Sequence, residues 1–515
     1  MRVKHTIVNI AAGIGNQLVI TLLSFISRTV FINSLGAEYL GVNGLFTNIL
    51  AMLSLAEAGI GASIMYSLYK PVADNDQEKI KRLMRLYKYA YLAIALVVAA
   101  LGLSLLPFLD LFVKNTEVPN ITGIYLIFLL NTVTPYFFSY KNAFLNVAQK
   151  GYIVTIAFTI SSVVSSCLKI AILYYSKNYI LFLLVDSALN LLTAATLTLI
   201  ANRKYPYLRQ KASGPLDAET KSGIVKNVKA IVLQNIGSYL VLGTENILIS
   251  AYVSVAAVGL YSNYKMLIEI GRTFIYQVFN NMYHSVGNLV SQESEEKVYS
   301  VYKVMLMLSF WLYSLCAILL YILIQPFIQI WIGSDYLMSN AVLILLLFMF
   351  FERGMRNSIA TVKTTSGIFH EDRFVPLGQA AISLLTSFLL VKHMGITGIF
   401  LGSLISAVAL PFWTTPYLVY KKVFRRSIWL HYRLYAVYLI VGLCAFFAAK
   451  KLSDFIHPTG FVPLIEKGGT TVLVVSAIYW LVFFRTTEYA YLAGIVRALM
   501  GKFFGKTRAN YKAEL

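Results

Sequence analysis

Gly44-Leu45-Phe46-Thr47-Asn48 returns in type as Gly259-Leu260-Tyr261-Ser262-Asn263, an offset of 215 residues. A second stretch, Leu106-Pro107-Phe108-Leu109-Asp110-Leu111-Phe112-Val113, is echoed at an offset of 219 by Gln325-Pro326-Phe327-Ile328-Gln329-Ile330-Trp331-Ile332. One short apolar echo arises easily by chance. Two at matching places along the chain point to a protein built from two copies of one unit.

What is repeated is membrane-spanning. Of the 515 residues, 58% are hydrophobic and 13% charged, against roughly 45–50% and 25% in soluble domains. Mean hydropathy is +0.69. The apolar runs are long and continuous, which excludes the short alternating strands of an outer-membrane barrel. At about 20 residues per crossing, spans are expected near 8–32, 40–66, 84–109, 121–140, 152–175, 179–201, 230–250, 256–282, 304–330, 339–360, 374–391, 396–419, 434–449 and 468–484. The fold class is therefore all-α and polytopic, with about fourteen transmembrane helices. Residues 1–201 form one six-helix half and 230–420 the other, joined by a cytoplasmic linker at 202–229 with Ser213-Gly214-Pro215 as its turn signal. Two further helices occupy 421–485, and a basic tail covers 486–515. An even number of spans per copy makes the repeats parallel, related by an axis along the membrane normal. The amino terminus, Met1-Arg2-Val3-Lys4, leads into a run carrying Asn16, Gln17 and Arg28, expected to be a retained first span rather than a cleaved leader.

A net charge of +21 suggests a nucleic-acid partner until its distribution is read. With the amino terminus inside, the cytoplasmic segments collect about 32 of the 44 Lys and Arg, as the positive-inside rule demands. Lys79-Ile80-Lys81-Arg82, Arg203-Lys204 and Lys421-Lys422-Val423-Phe424-Arg425-Arg426 are topology signals that also suit anionic headgroups. No nucleic-acid partner is expected.

A charge at the bilayer centre costs roughly 2.5–3.5 kcal/mol on insertion scales, so each such residue needs a reason. Glu352 and Arg356, four apart, read as a snorkelling helix pair, and Lys169 with Asp186 as a structural pair between neighbouring spans. Arg28, Glu57, Glu245, Lys265, Glu269 and Arg272 fall in the first two spans of the two copies. Nine residues separate Asn48 from Glu57 and Asn263 from Arg272, so Glu57 and Arg272 are equivalent positions of opposite charge. Two readings are open: these groups line a central cavity, or Lys265, Glu269 and Arg272 neutralise one another along one helix face. Gly59 and Gly61 after Glu57 allow a bend. Arginine forks match phosphate better than a lysine point charge does, so a cationic cavity favours a diphosphate, where a cavity for cationic drugs carries acids instead.

Other chemistry lacks its residues. There is no Gly-x-x-x-x-Gly-Lys-[Ser/Thr] cradle for a nucleotide, no His-Glu-x-x-His, no Cys-x-x-Cys and no Gly-x-Ser-x-Gly. The three cysteines lie within apolar runs, and the histidines (His5, His284, His370, His393, His431 and His457) at span ends, where an interfacial role is expected. No enzyme, cofactor or metal is indicated.

The stretch Arg28-Thr-Val-Phe-Ile-Asn-Ser-Leu-Gly36-Ala-Glu-Tyr-Leu-Gly41-Val-Asn-Gly44-Leu-Phe-Thr-Asn48, with Leu53-Ser-Leu-Ala-Glu57-Ala-Gly59-Ile-Gly61 and Leu68-Tyr-Lys70-Pro71, resembles the bacterial polysaccharide flippases of the MOP exporter superfamily. Ala58 stands where that pattern carries a bulkier apolar residue. The resemblance implies a cytoplasmic-membrane protein, both termini cytoplasmic, that moves undecaprenyl-diphosphate-linked oligosaccharides from the inner to the outer leaflet by alternating access. It implies membrane lipids, a polysaccharide polymerase and glycosyltransferases as partners. Related flippases line a cationic cavity with arginines from spans 1 and 8, which carries a substrate-binding role to Arg28 and Arg272, with Lys265 assisting. Glu57, Glu245 and Glu269 are then candidates for gating or for H+ or Na+ coupling, and the last two spans for a lipid-tail groove. The rival within the superfamily is a cation-coupled multidrug or metabolite antiporter.

Overall fold

The computed structural model describes residues 20–57, 60–113, 116–148, 150–212, 214–368, 371–456 and 460–503. The start of the first span, Ala58-Gly59, Ser213, His5, His370, His457 and the tail beyond 503 lie outside the described residues. Within them the protein is an all-α polytopic membrane protein, and helix occupies every one of the expected spans. Eight helices are by themselves long and apolar enough to cross a membrane, and a ninth candidate is a pair bent by 46°.

Local chemistry sets the boundaries. Asp76, Asn120, Asn178, Asp217, Ser294 and Ser339 each precede a helix, and each side chain accepts a hydrogen bond from the amide three residues on, satisfying a donor the helix leaves open. Between α1 (Ile20–Leu35) and α2 (Ala37–Leu53), Gly36 turns the chain at φ 86°, a conformation that costs glycine little. The second span breaks after α2 through a 3-10 turn at Ser54–Glu57 and resumes as α3 (Ile60–Ala73). The fourth breaks where Pro135 interrupts the run between α6 (Ile121–Val133) and α7 (Ser139–Val147), as a missing amide donor requires.

The chain packs as two compact units, one of residues up to Asn263 plus Pro376–Ser403, the other of Tyr264–Val375 plus Leu404 onward. In the first, α4 (Gln77–Ser104) packs on α3 and α7 around Leu83, Tyr87, Tyr91, Val98 and Phe144. The antiparallel pair α8 (Gly151–Tyr175) and α9 (Tyr179–Lys204) lies beside α6 and α7. Helix α10 (Ala218–Tyr252) and the start of α11 (Val255–Gln292) pack on α2. There, glycine permits backbone contact: a Cβ on Gly41 would stand 1.9 Å from the Val255 carbonyl oxygen, and one on Gly259 2.1 Å from that of Ala37. Small residues at helix crossings allow this approach in membrane proteins.

In the second unit α12 (Glu295–Trp331) packs against α13 (Asn340–Thr365), α17 (Trp429–Ser453), α18 (Phe461–Phe483) and α19 (Thr487–Phe503). Tyr264 donates to Gln325 at 2.8 Å, and Gln325 donates to the Met338 carbonyl at 2.7 Å, so the first residue of the second echo fastens the chain after α12. Two expectations change here. Glu352 and Arg356 do pair, at 3.2 Å, but Glu352 is 3% exposed and its Oε1 has no partner. Packing of α13 against α12 and α16 (Pro411–Val419), with Tyr435 of α17 against Phe351, encloses them, so neither snorkels. His431 is not interfacial either: it is buried, with Nδ1 2.8 Å from the Tyr302 hydroxyl.

Candidate functional site: a polar cavity in the first unit

The first unit carries an open cavity of about 570 Å³ walled by five segments. Helix α1 supplies Ser24, Ser27 and Arg28; α2 and its 3-10 extension supply Asn43, Thr47 and Ser54; α6 supplies Asn131 and Thr132. Helices α8 and α9 bring Ser162, Ser166, Lys169, Asp186 and Asn190. The last five residues also wall a second space of about 610 Å³ that continues towards Asn146, Thr155 and Thr159. The spacing explains the lining. Residues 155, 159, 162, 166 and 169 advance by alternating steps of four and three, which keeps them on one face of α8.

Arg28 is held from the rear. Its Nε donates to Asn263 Oδ1 at 3.0 Å and its Nη2 to Ser262 Oγ at 2.5 Å. Nη1 makes no hydrogen bond among the described residues, so part of the guanidinium fork is left for a ligand. Opposite in chemistry stands the pair Lys169–Asp186 at 3.2 Å, reinforced by Ser165 donating to the same carboxylate oxygen at 2.8 Å. Lys169 also lies 4.8 Å above the Phe182 ring. The pair was expected as structural packing; it is formed, and it also lines the cavity. Two cations and one anion leave the lining at a net charge of +1.

The other singled-out residues have these surroundings. Glu57 ends the 3-10 turn at the helix break and accepts a hydrogen bond from Tyr91. Glu245 is 5% exposed and accepts from Tyr261 at 2.9 Å and Ser403 at 3.4 Å, tying α10 to α11 and α15 (Ile396–Ala409). Glu269 and Arg272 pair at 2.5 Å on α11, both partly exposed. Lys265 is on the same helix, half-buried. Glu57 belongs to the first unit, and Lys265, Glu269 and Arg272 to the second. Lys169, Asp186 and the hydroxyl face of α8 were not proposed as site residues from sequence. Their signal was present, as five polar residues at helical spacing in an apolar span.

No protein-family model matches the chain, and no curated protein sequence does. Among solved structures, the lipid II flippase MurJ in an inward closed conformation is similar with a TM-score of 0.64 at 14% identity, covering 91% of this chain and 99% of that one. An inward-facing multidrug resistance MATE family transporter of the MOP superfamily is similar at 0.59 and 15%, covering 81% and 95%. A mutant of the Vibrio cholerae MATE transporter VcmN is similar at 0.55 and 15%, covering 80% and 95%. The chain shares the fold of these transporters.

Proposed function

We propose that the protein is a flippase of the bacterial cytoplasmic membrane, both termini cytoplasmic, which carries undecaprenyl-diphosphate-linked oligosaccharide repeat units from the inner to the outer leaflet. The observation that carries this reading is the polar, net-cationic cavity with Arg28 fixed in its wall. A guanidinium held at Nε and Nη2 with Nη1 open is oriented in advance for a phosphate oxygen, which saves part of the ordering cost of binding. In this reading Arg272 and Lys265 of the second unit also serve phosphate binding, and the similarity to a lipid II flippase at the level of fold supports the reading. Glu57, at a helix break, is the carboxylate best placed to change partner in a conformational cycle, with Glu269 next and Glu245 the most fully committed to packing. Alternating access requires such a group to bias two states. The enzymes that assemble and polymerise the glycan are the partners this role entails.

In proteoliposomes supplied with a lipid-linked diphospho-oligosaccharide on one side, arrival on the other side can be followed with an impermeant sugar-modifying enzyme. Transport above that of empty vesicles, lost in Arg28→Ala at normal insertion, is the expected result. Full transport by Arg28→Ala would remove Arg28 from the site. A second reading, a cation-coupled multidrug antiporter, is favoured by one feature, the Asp186 carboxylate on the cavity wall. It predicts proton- or sodium-driven export of an organic cation, lost in Asp186→Asn.

A further inference from the structure

We infer that the cavity of the first unit receives the uncharged, hydroxyl-bearing part of the translocated molecule, its sugar rings, as a site separate in chemistry from the diphosphate contact; this rests on the flippase reading above. Ser24, Ser27, Asn131, Ser162, Ser166 and Asn190 line the cavity, and none makes a side-chain hydrogen bond among the described residues. In a helix, serine usually spends its hydroxyl on the carbonyl one turn back. Thr47, Thr132, Thr155 and Thr159 do so here, at 2.7, 3.0, 3.2 and 2.9 Å. Their protons face the helix, and their lone pairs are left for the space beside it. The wall therefore offers lone pairs from one set of residues and both donors and acceptors from the other.

A phosphate only accepts hydrogen bonds, so it leaves the acceptor half of this wall unused. An organic cation of the multidrug kind forms few hydrogen bonds and would use neither half. Sugar hydroxyls donate and accept at once and match both halves. The charges agree: Lys169 and Asp186 answer each other at 3.2 Å, which leaves Arg28 as the only lining charge without an ionic partner among the described residues. The volumes, about 570 and 610 Å³, fall within the roughly 300–1,000 Å³ of small-molecule sites.

The test is affinity of the full-length purified chain, read by native mass spectrometry in detergent, for two lipids. One is undecaprenyl diphosphate alone and the other the same lipid bearing an uncharged oligosaccharide. Wild type should bind the glycan-bearing lipid more tightly. Ser162→Ala/Ser166→Ala should weaken that binding by roughly tenfold or more, two hydrogen bonds' worth, and leave the glycan-free lipid unaffected. A second pair on other walls, Asn131→Ala/Asn190→Ala, should reproduce the selective loss and guards against a folding defect in the first. Equal wild-type affinity for the two lipids, or equal loss of both in the variants, would overturn the inference and leave a water-filled vestibule, with the flippase reading intact. Binding of neither lipid by wild type would overturn the flippase reading itself, and this inference with it.

Discussion

Gly259→Ala is the substitution for which the structure sets opposing effects most clearly. The new Cβ would lie 2.1 Å from the Ala37 carbonyl oxygen, 3.0 Å from its carbon and 3.2 Å from the Gly41 nitrogen, all backbone atoms. Restoring a separation of roughly 3.5 Å parts α11 from α2 by more than about 1 Å, because no side chain can rotate away. Overpacking of this kind costs about 3 kcal/mol. The same shift stretches the 3.0 and 2.5 Å bonds from Arg28 to Asn263 and Ser262 out of hydrogen-bonding range, for about 1 kcal/mol after water takes their place. Against this, alanine gains about 1 kcal/mol over glycine in a helix. The net is a loss of about 3 kcal/mol. Unfolding of such a protein is rarely reversible, so the assay is the apparent Tm in detergent beside Gly469→Ala. Gly469 lies within α18 with nothing within 4 Å of its would-be Cβ, and that change should be neutral or mildly stabilising. Gly259→Ala should melt several degrees lower, on the order of 5 °C, and lose transport with it. Equal melting of the two variants would refute the close crossing of α2 and α11.

Two further outcomes follow from other parts of the molecule. Arg356→Met strips the counter-charge from a Glu352 that is 3% exposed, which should cost about 3 kcal/mol; adding Glu352→Leu should recover most of the lost Tm, and failure to recover it would show the pair is not an isolated buried couple. At the linker, hydrogen bonds from the Thr220 hydroxyl and amide hold the exposed Asp217 carboxyl down at about 2. Its value in an unfolded chain is near 3.9, so the ionised cap is fully effective above about pH 4 and is lost as pH falls through about 2. At neutral pH, Asp217→Ala should speed hydrogen exchange in the first turn of α10 and Asp217→Asn should not, asparagine being as good a cap.

How much of this was legible in the sequence differs by level. The spans were, because twenty apolar residues have one use in a membrane, and the break of the fourth span is announced by Pro135. The packing units were not. That Pro376–Ser403 packs in the same unit as residues up to Asn263 depends on side-chain fit between distant segments, such as Ser403 with Glu245 and Phe388 with Tyr252. Arg28 was visible as a charge that needed a reason. Lys169 and Asp186 were visible too, but opposite charges on adjacent spans read equally well as packing, and only a cavity beside them distinguishes the uses. The Ser162 and Ser166 hydroxyls of α8 are harder still, since a membrane serine normally bonds its own helix. Their idleness is a property of three-dimensional surroundings.

The pentapeptide repeat bears on the same cavity from both of its copies. In the first, Thr47 lines the cavity, while the Gly44 carbonyl accepts from Asn246 on α10 at 3.2 Å. In the second, Gly259 admits α11 to backbone contact with α2, and one turn later Ser262 and Asn263 reach Arg28. Asn263 is fully buried, and its Nδ2 is left without a partner so that Oδ1 can hold the arginine. A buried unpaired amide donor costs about 1–3 kcal/mol, which the two bonds to Arg28 partly offset. Arg28 is thus positioned by a residue from the other sequence copy, and an arginine fixed at two nitrogens keeps its remaining fork at a defined angle to the cavity. The echo sets Asn48 and Asn263 at corresponding places in its two pentapeptides. The fold uses the second to orient the charge carried by the first copy.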